Sequence, residues 1–173
     1  MNKTSPNNYN YIRSFLYLFF ILTIIWLILT SSFHWQELAT GIILIFFLSL
    51  FLHKYYLKLG LPALTLKKIV YFIFYIFVLL VEIIKANFDV AYRVLHPRLP
   101  IKPGIVIIRT NLKQDIAKTM LANSITLTPG TFTLDIKEDQ LLIHWIYVRS
   151  EDPEKASMII GEKFEKYLRV VFA

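Results

Sequence analysis

Residues Lys67–Ile108 read KKIVYFIFYIFVLLVEIIKANFDVAYRVLHPRLPIKPGIVII, and the fold turns on where one pattern gives way to another inside that stretch. Ile69 to Val81 is an apolar run. Glu82, Lys85, Asp89 and Arg93 then enter at i+3 and i+4 spacings, where opposite charges support a helix, while Ile84, Phe88, Ala91 and Leu95 continue an apolar face. The spacing predicts one helix over 67–95, apolar first and amphipathic later, with the charged residues on a solvated face. Pro97 and Pro100 end it. From Gly104 the pattern changes, and the β-branched run Ile105–Ile108 reads as a buried strand.

Upstream the chain is more apolar still. Residues 1–13 form a polar, Asn-rich tail that is expected to be loose. Ser14 to Gln36 contains no Lys, Arg, Asp or Glu, and predicts a membrane helix over about 14–31. No small-residue cleavage site follows it, so a removed signal peptide is not the reading. Leu38 to Leu52 predicts a second helix over about 36–53. Those fifteen residues reach only about 23 Å at 1.5 Å each, and Trp35 and Tyr55 extend them into the interfaces. Glu37 stands at the mouth of the resulting hairpin. Gly60 and Pro62 break the chain before the third helix. The membrane region is thus expected over 14–103 and a small soluble domain over 104–173.

The 173 residues are 56% hydrophobic, contain no cysteine and carry a net charge of +7. Residues 1–103 hold ten Lys/Arg against Glu37, Glu82 and Asp89, whereas 104–173 hold nine of each sign. The whole excess therefore sits beside apolar segments, as membrane topology and anionic headgroups require, and not on a nucleic-acid surface. Lys3 and Arg13, a first loop without Lys or Arg, and Lys54, Lys58, Lys67 and Lys68 in the second loop place the N-terminus and second loop inside. Lys85, Arg93, Arg98 and Lys102 also ask to be inside. These demands conflict: either the third segment spans against the rule, or it does not fully span. A cytoplasmic soluble domain is the favoured reading, with the third segment then tilted, re-entrant, interfacial or packed on partners.

Downstream, Asn111 is a candidate N-cap for a helix through about Leu121, with Ile116, Met120 and Leu121 inward. Thr131 to Ile136 alternates Phe132, Leu134 and Ile136 against Thr and Asp, and pairs with Leu141–Val148 as a hairpin turned by Glu138, Asp139 and Gln140. Asp152-Pro153-Glu154 opens a last helix, with Ile160, Phe164, Leu168 and Val171 on its apolar face. The fold class is therefore a membrane α-helical N-terminal half, of two to three hydrophobic helices, plus a cytoplasmic two-layer α+β domain of order β-α-β-β-α.

No chemistry-bearing motif accompanies this fold. The absence of Cys excludes disulfides, thiol catalysis and Cys-ligated metals. His34, His53, His96 and His144 share no ligand spacing, and no phosphate-binding Gly-rich loop is present. No catalytic, metal or cofactor residue is assigned. Two polar features remain. Thr128-Pro129-Gly130-Thr131 reads as a tight turn with φ > 0 at Gly130, either a rigid connection or a docking loop. Glu82 is the one carboxylate beside the third apolar run, where ionisable groups are functional candidates, and Lys85 one turn away offers an interfacial ion pair instead. The candidate ion-route or interface residues are Glu82, Lys85, Asn87, Asp89, Thr128, Pro129, Gly130 and Thr131.

Three stretches carry a family likeness: WLILTSSF over 26–33 followed by Gly41, EIIKANFDVAYRVLHPRLPIKPGIV over 82–106, and LANSITLTPGT over 121–131. They make the chain, from about 14 to 172, similar to the E-type component of Mrp-type (Mnh or Pha) multi-subunit monovalent cation/proton antiporters. The resemblance implies an accessory, non-catalytic subunit in a prokaryotic inner or plasma membrane. Its partners would be large subunits resembling those of respiratory complex I and small hydrophobic F- and G-type subunits. Na+ and H+ would be met only through the complex, and no cofactor or nucleic acid is implied. Related subunits occur in hydrogenase-type complexes, so the parent machine stays open, and a membrane-anchored adaptor with an α+β interaction domain is the other reading.

Overall fold

The computed structural model describes residues 8–58 and 65–173. Its elements are α1 (Asn8–Thr30), α2 (Trp35–Lys58), α3 (Leu66–Leu95), β1 (Gly104–Arg109), α4 (Asp115–Leu127), β2 (Thr131–Lys137), β3 (Gln140–Trp145), α5 (Pro153–Ile160) and α6 (Glu162–Val171). They divide into two compact units, residues 1–61 and 62–173. The expected breaks at Gly60 and Pro62, and the tail before Asn8, lie outside the described residues. From Asn8 onward the tail is already helical.

The first unit is a hairpin of α1 and α2. Ser31 adopts φ 48° where α1 ends, and the chain turns before Trp35. Gly41, Ile45 and Ser49 form a buried stripe on α2 at four-residue spacing. Small residues on such a stripe let two apolar helices approach closely, which matters because lipid supplies no hydrophobic drive between them. Phe15 meets Phe46 edge-on at 5.7 Å, and Tyr11 meets His53 at 5.7 Å. A Cβ on Gly41 would lie 2.7 Å from Cε2 of the Trp26 indole, so only glycine accommodates that ring. The outward surfaces of both helices are apolar, Phe51 and Leu29 among them.

The second unit is built on α3. Thr65 caps its start, accepting from Lys68 N at 3.4 Å. The three strands form an antiparallel sheet of order β1-β3-β2. α5 packs on β1, α4 on β2, and α6 lies against α4, α5 and α3. One core unites Ile108, Leu141 and Ile143 of the sheet, Leu121 and Ile125 of α4, Phe164 and Leu168 of α6, and Tyr75 and Leu79 of α3. Full burial of a large apolar side chain contributes roughly 1.5–3 kcal/mol, so Tyr75 and Leu79 bind α3 firmly to the domain.

Four local expectations change. β1 is half-buried: Val106 and Ile108 face the core while Ile105 and Ile107 are exposed, because helices cover only one face of the sheet. In β2 the register shifts between Thr133 and Asp135. That bulge puts Ile136 against the core and leaves Phe132 and Leu134 on the open face, so the three do not share one side. α4 starts at Asp115 after Gln114, not at Asn111, whose backbone N–H is held by Glu165 at 2.9 Å, and it continues to Leu127. The last helix is two helices meeting at Gly161; Asp152 caps the first, accepting from Lys155 N at 2.9 Å. Ile160, Phe164, Leu168 and Val171 are all buried, as their spacing predicts.

Enlarging Gly41 tests the hairpin. Gly41→Leu is expected to cost about 1–3 kcal/mol by overpacking against Trp26, read as loss of the chain from purified membranes. Adding Trp26→Ala restores the level if the ring is the obstacle; no restoration rejects the packing account.

Candidate functional site

The polar face of α3 is only partly solvated. Glu82 and Arg93 turn to the domain while Lys85 and Asp89 stay exposed, and the apolar face points outward: Ile84, Phe88 and Leu95 are 56%, 74% and 82% exposed, whereas Arg93 is 8% exposed. The arrangement follows from what the domain offers. Arg93 Nε and Nη2 donate to Asp89 at 2.8 and 3.1 Å, and Nη1 donates to the Pro100 carbonyl at 2.6 Å. The guanidinium lies 4.2 Å over the Tyr147 ring. About three turns upstream, Glu82 accepts from Lys163 of α6 at 2.6 Å and from Lys85 at 3.1 Å.

These residues frame a cavity of about 430 Å3 between α3, the end of α4, the start of β2 and the α5–α6 pair. Glu82, Lys85 and Asp89 line it from α3, Thr128, Pro129 and Thr131 from the loop, Trp145 and Arg149 from β3 and the segment after it, and Lys163 from α6. Three cations against two carboxylates leave the wall at +1.

The loop hydroxyls are turned to structural use. A helix leaves its last carbonyls without intrahelical partners. Thr128 Oγ1 donates to Ser124 O at 2.8 Å, and Thr131 Oγ1 lies 2.7 Å from Ile125 O and 2.8 Å from Thr128 O. Thr133 Oγ1 donates to Ala122 O at 3.1 Å. Ser124 Oγ donates to Met120 O at 2.7 Å, which leaves it to accept from the Tyr75 hydroxyl at 2.6 Å. Gly130 has φ 89°, and its carbonyl accepts from Ile146 N at 2.8 Å. A Cβ there would sit 2.8 Å from Ile146 Cγ2 and 3.3 Å from Val90 Cγ2.

Of the eight sequence-predicted residues, the structure brings Glu82, Lys85, Asp89, Thr128, Pro129 and Thr131 to one cavity. Gly130 instead backs onto Val90 and Ile146. Asn87 stands apart on the exposed side of α3, its Nδ2 donating to Ile83 O at 2.8 Å. Sequence reasoning missed Lys163, Arg149 and Trp145. Lys163 is 81 positions from Glu82, so no local spacing reveals the pair; its one signal is a lysine next to Phe164 on an amphipathic helix. Among the described residues no group of three His, Asp or Glu is placed to hold a metal ion.

An apolar helical hairpin, a third apolar helix and a compact α+β domain define a small component of a membrane complex. The chain belongs to the MNHE family, the Na+/H+ ion antiporter subunits, whose profile matches residues 19–171. It is 36% identical over 152 residues to the E1 component of a Na+/H+ antiporter of Staphylococcus epidermidis RP62A, covering 87% of this chain and 92% of that one. Over 155 residues it is 36% identical to the E component of the Na+/H+ antiporter of Bacillus subtilis 168, with the same coverage. Its structure is also similar to a chain of the membrane-bound sulfane sulfur reductase, an archaeal respiratory membrane complex: TM-score 0.82, 49% identity, 92% of this chain and 99% of that chain covered.

Two substitutions test the site. Gly130→Ala places a Cβ at positive φ, a strain of about 1–2 kcal/mol before the overlap with Ile146. It is expected to lower the fraction of chain that co-purifies with its complex while the assembled remainder keeps its cation KM. A fully assembled complex with altered KM argues the reverse. For Glu82 and Lys163, a Glu82→Gln/Lys163→Met cycle is expected to give a coupling of about 1 kcal/mol in thermal stability, with antiport close to normal in Glu82→Gln. Severe loss of antiport with normal assembly would put Glu82 on an ion route.

Proposed function

We propose that this chain is an accessory, non-catalytic subunit of a multi-subunit monovalent cation/proton antiporter, bridging the membrane hairpin of its own chain to neighbouring subunits through the α+β domain. The observation that carries this reading is the extent of the family match, which takes in the hairpin, α3 and the domain together. The cavity supports a bracing role: its carboxylates are paired with cations and its threonine hydroxyls bond the end of α4. Glu82, Lys85, Asp89 and the Thr128–Thr131 loop then act as an assembly surface next to the cation path, with Asn87 on the exposed side to meet a partner. The positive-inside pattern supports a cytoplasmic domain.

A second reading has its own support. The 49% identity to a chain of a respiratory complex exceeds the 36% to the antiporter components. A module of this kind can work inside a redox-driven ion-translocating machine. Deletion of the chain is expected to bring sodium and alkaline sensitivity and to abolish Na+-dependent proton efflux in vesicles. A tagged chain isolated from mildly solubilised native membranes should bring down large complex-I-like subunits and small hydrophobic ones. Redox subunits in the same preparation select the second reading, and isolation alone or with soluble proteins rejects both.

A further inference from the structure

α3 has the length and composition to cross a bilayer. Its packing is inconsistent with doing so. The domain covers one edge of the helix from end to end. Lys68 Nζ donates to the Ala173 carbonyl at 2.7 Å, the Tyr71 ring lies 6.5 Å from Tyr167, Tyr75 bonds Ser124, Glu82 pairs with Lys163, and Arg93 holds Pro100. From Lys68 to Arg93 the rise is about 38 Å, more than the ~30 Å of a hydrocarbon core. A helix standing across the bilayer would carry α6 into it, together with the exposed Glu162, Lys166 and Arg169. Charged groups at that depth are strongly disfavoured.

The opposite arc is apolar along the whole helix. Leu66, Ile73, Phe77, Ile84, Phe88 and Leu95 follow one another at seven- and four-residue steps, each at least 56% exposed. No ionisable side chain interrupts that stripe. Beside it, Lys67 and Lys85 lie eighteen residues apart, five turns of helix, and so project from the same flank; both are exposed. An apolar stripe rimmed by lysines matches the acyl and anionic headgroup layers of one leaflet. The chain also reaches α3 only seven residues after α2, a helix long and apolar enough to cross.

We propose that α3 does not span the membrane but lies in the bilayer interface, its apolar stripe in one leaflet and the α+β domain on the aqueous side of that leaflet. The inference rests on the membrane-complex reading above. It also removes the conflict in the charge pattern, because Lys67 and Lys68 at one end of α3 and Arg98 and Lys102 beyond the other then lie on one side.

The chain has no cysteine, so single thiols report cleanly. Lys67→Cys and Arg98→Cys, made in the full chain within its native complex, are treated with an impermeant maleimide in intact cells and in inside-out vesicles. Both are expected to label at least tenfold more from the same side. Labelling from opposite sides makes α3 a spanning helix and overturns the proposal. Nitroxides at Phe77→Cys and Phe88→Cys are expected to show similar, shallow depth by oxygen against nickel-chelate collision. Depths differing by much of a leaflet, or photocrosslinks from both positions to another subunit, also overturn it. Co-purification of the other subunits, scored in the same preparations, reports on the antiporter reading independently.

Discussion

A buried cation sets the geometry of the second unit. Arg93 is almost wholly removed from solvent, and an unpaired charge in that position would be strongly destabilising. Its three bonds and the Tyr147 ring under it leave no freedom in where α3 ends or where the Pro97–Pro103 segment runs. That segment then delivers β1 to its place beside β3, helped by Lys102, which exchanges backbone bonds with Ile146 and Val148. Moving Arg93 would leave the sheet without its first strand in register.

The hydroxyl-rich sequence between α4 and β2 answers a different constraint. The last carbonyls of α4 lack intrahelical partners. Thr128 and Thr131 bond those of Ser124 and Ile125, while Ser124 and Thr133 bond the Met120 and Ala122 carbonyls a turn earlier, and the Tyr75 hydroxyl joins the same network from α3. Glu165, 6% exposed, does the equivalent work at the exit of β1, accepting from Thr110 Oγ1 and Asn111 N at 2.9 Å each. Residues that look like a binding signature in one dimension are here the means by which short elements end under cover.

The parts of this fold that were legible in sequence are those governed by near neighbours. The limits of α3, the Asp152 cap with Pro153 behind it, and the positive φ of Gly130 all follow from local chemistry. What was not legible depends on distant partners. The direction in which the charged face of α3 points is decided by Lys163 and Pro100, neither of them within one turn. The bulge after Thr133 is decided by pairing with β3, and it reverses the sides taken by Phe132 and Ile136. Gly161 reads as one helical residue among others, yet α5 and α6 part there, α5 packing on β1 and α6 against α3 and α4. For the candidate site, the α3 carboxylates and the loop were visible as residues, while the third wall from α6 was not.

The uncovered face of the sheet bears on how the cell must handle this chain. Ile105, Ile107, Phe132 and Leu134 lie together on it, with β1 and β2 both edge strands. An open apolar sheet with two free edges is a template for unwanted strand pairing. Copies made in excess of their partners would therefore expose a surface prone to aggregation, which covering by a partner would remove.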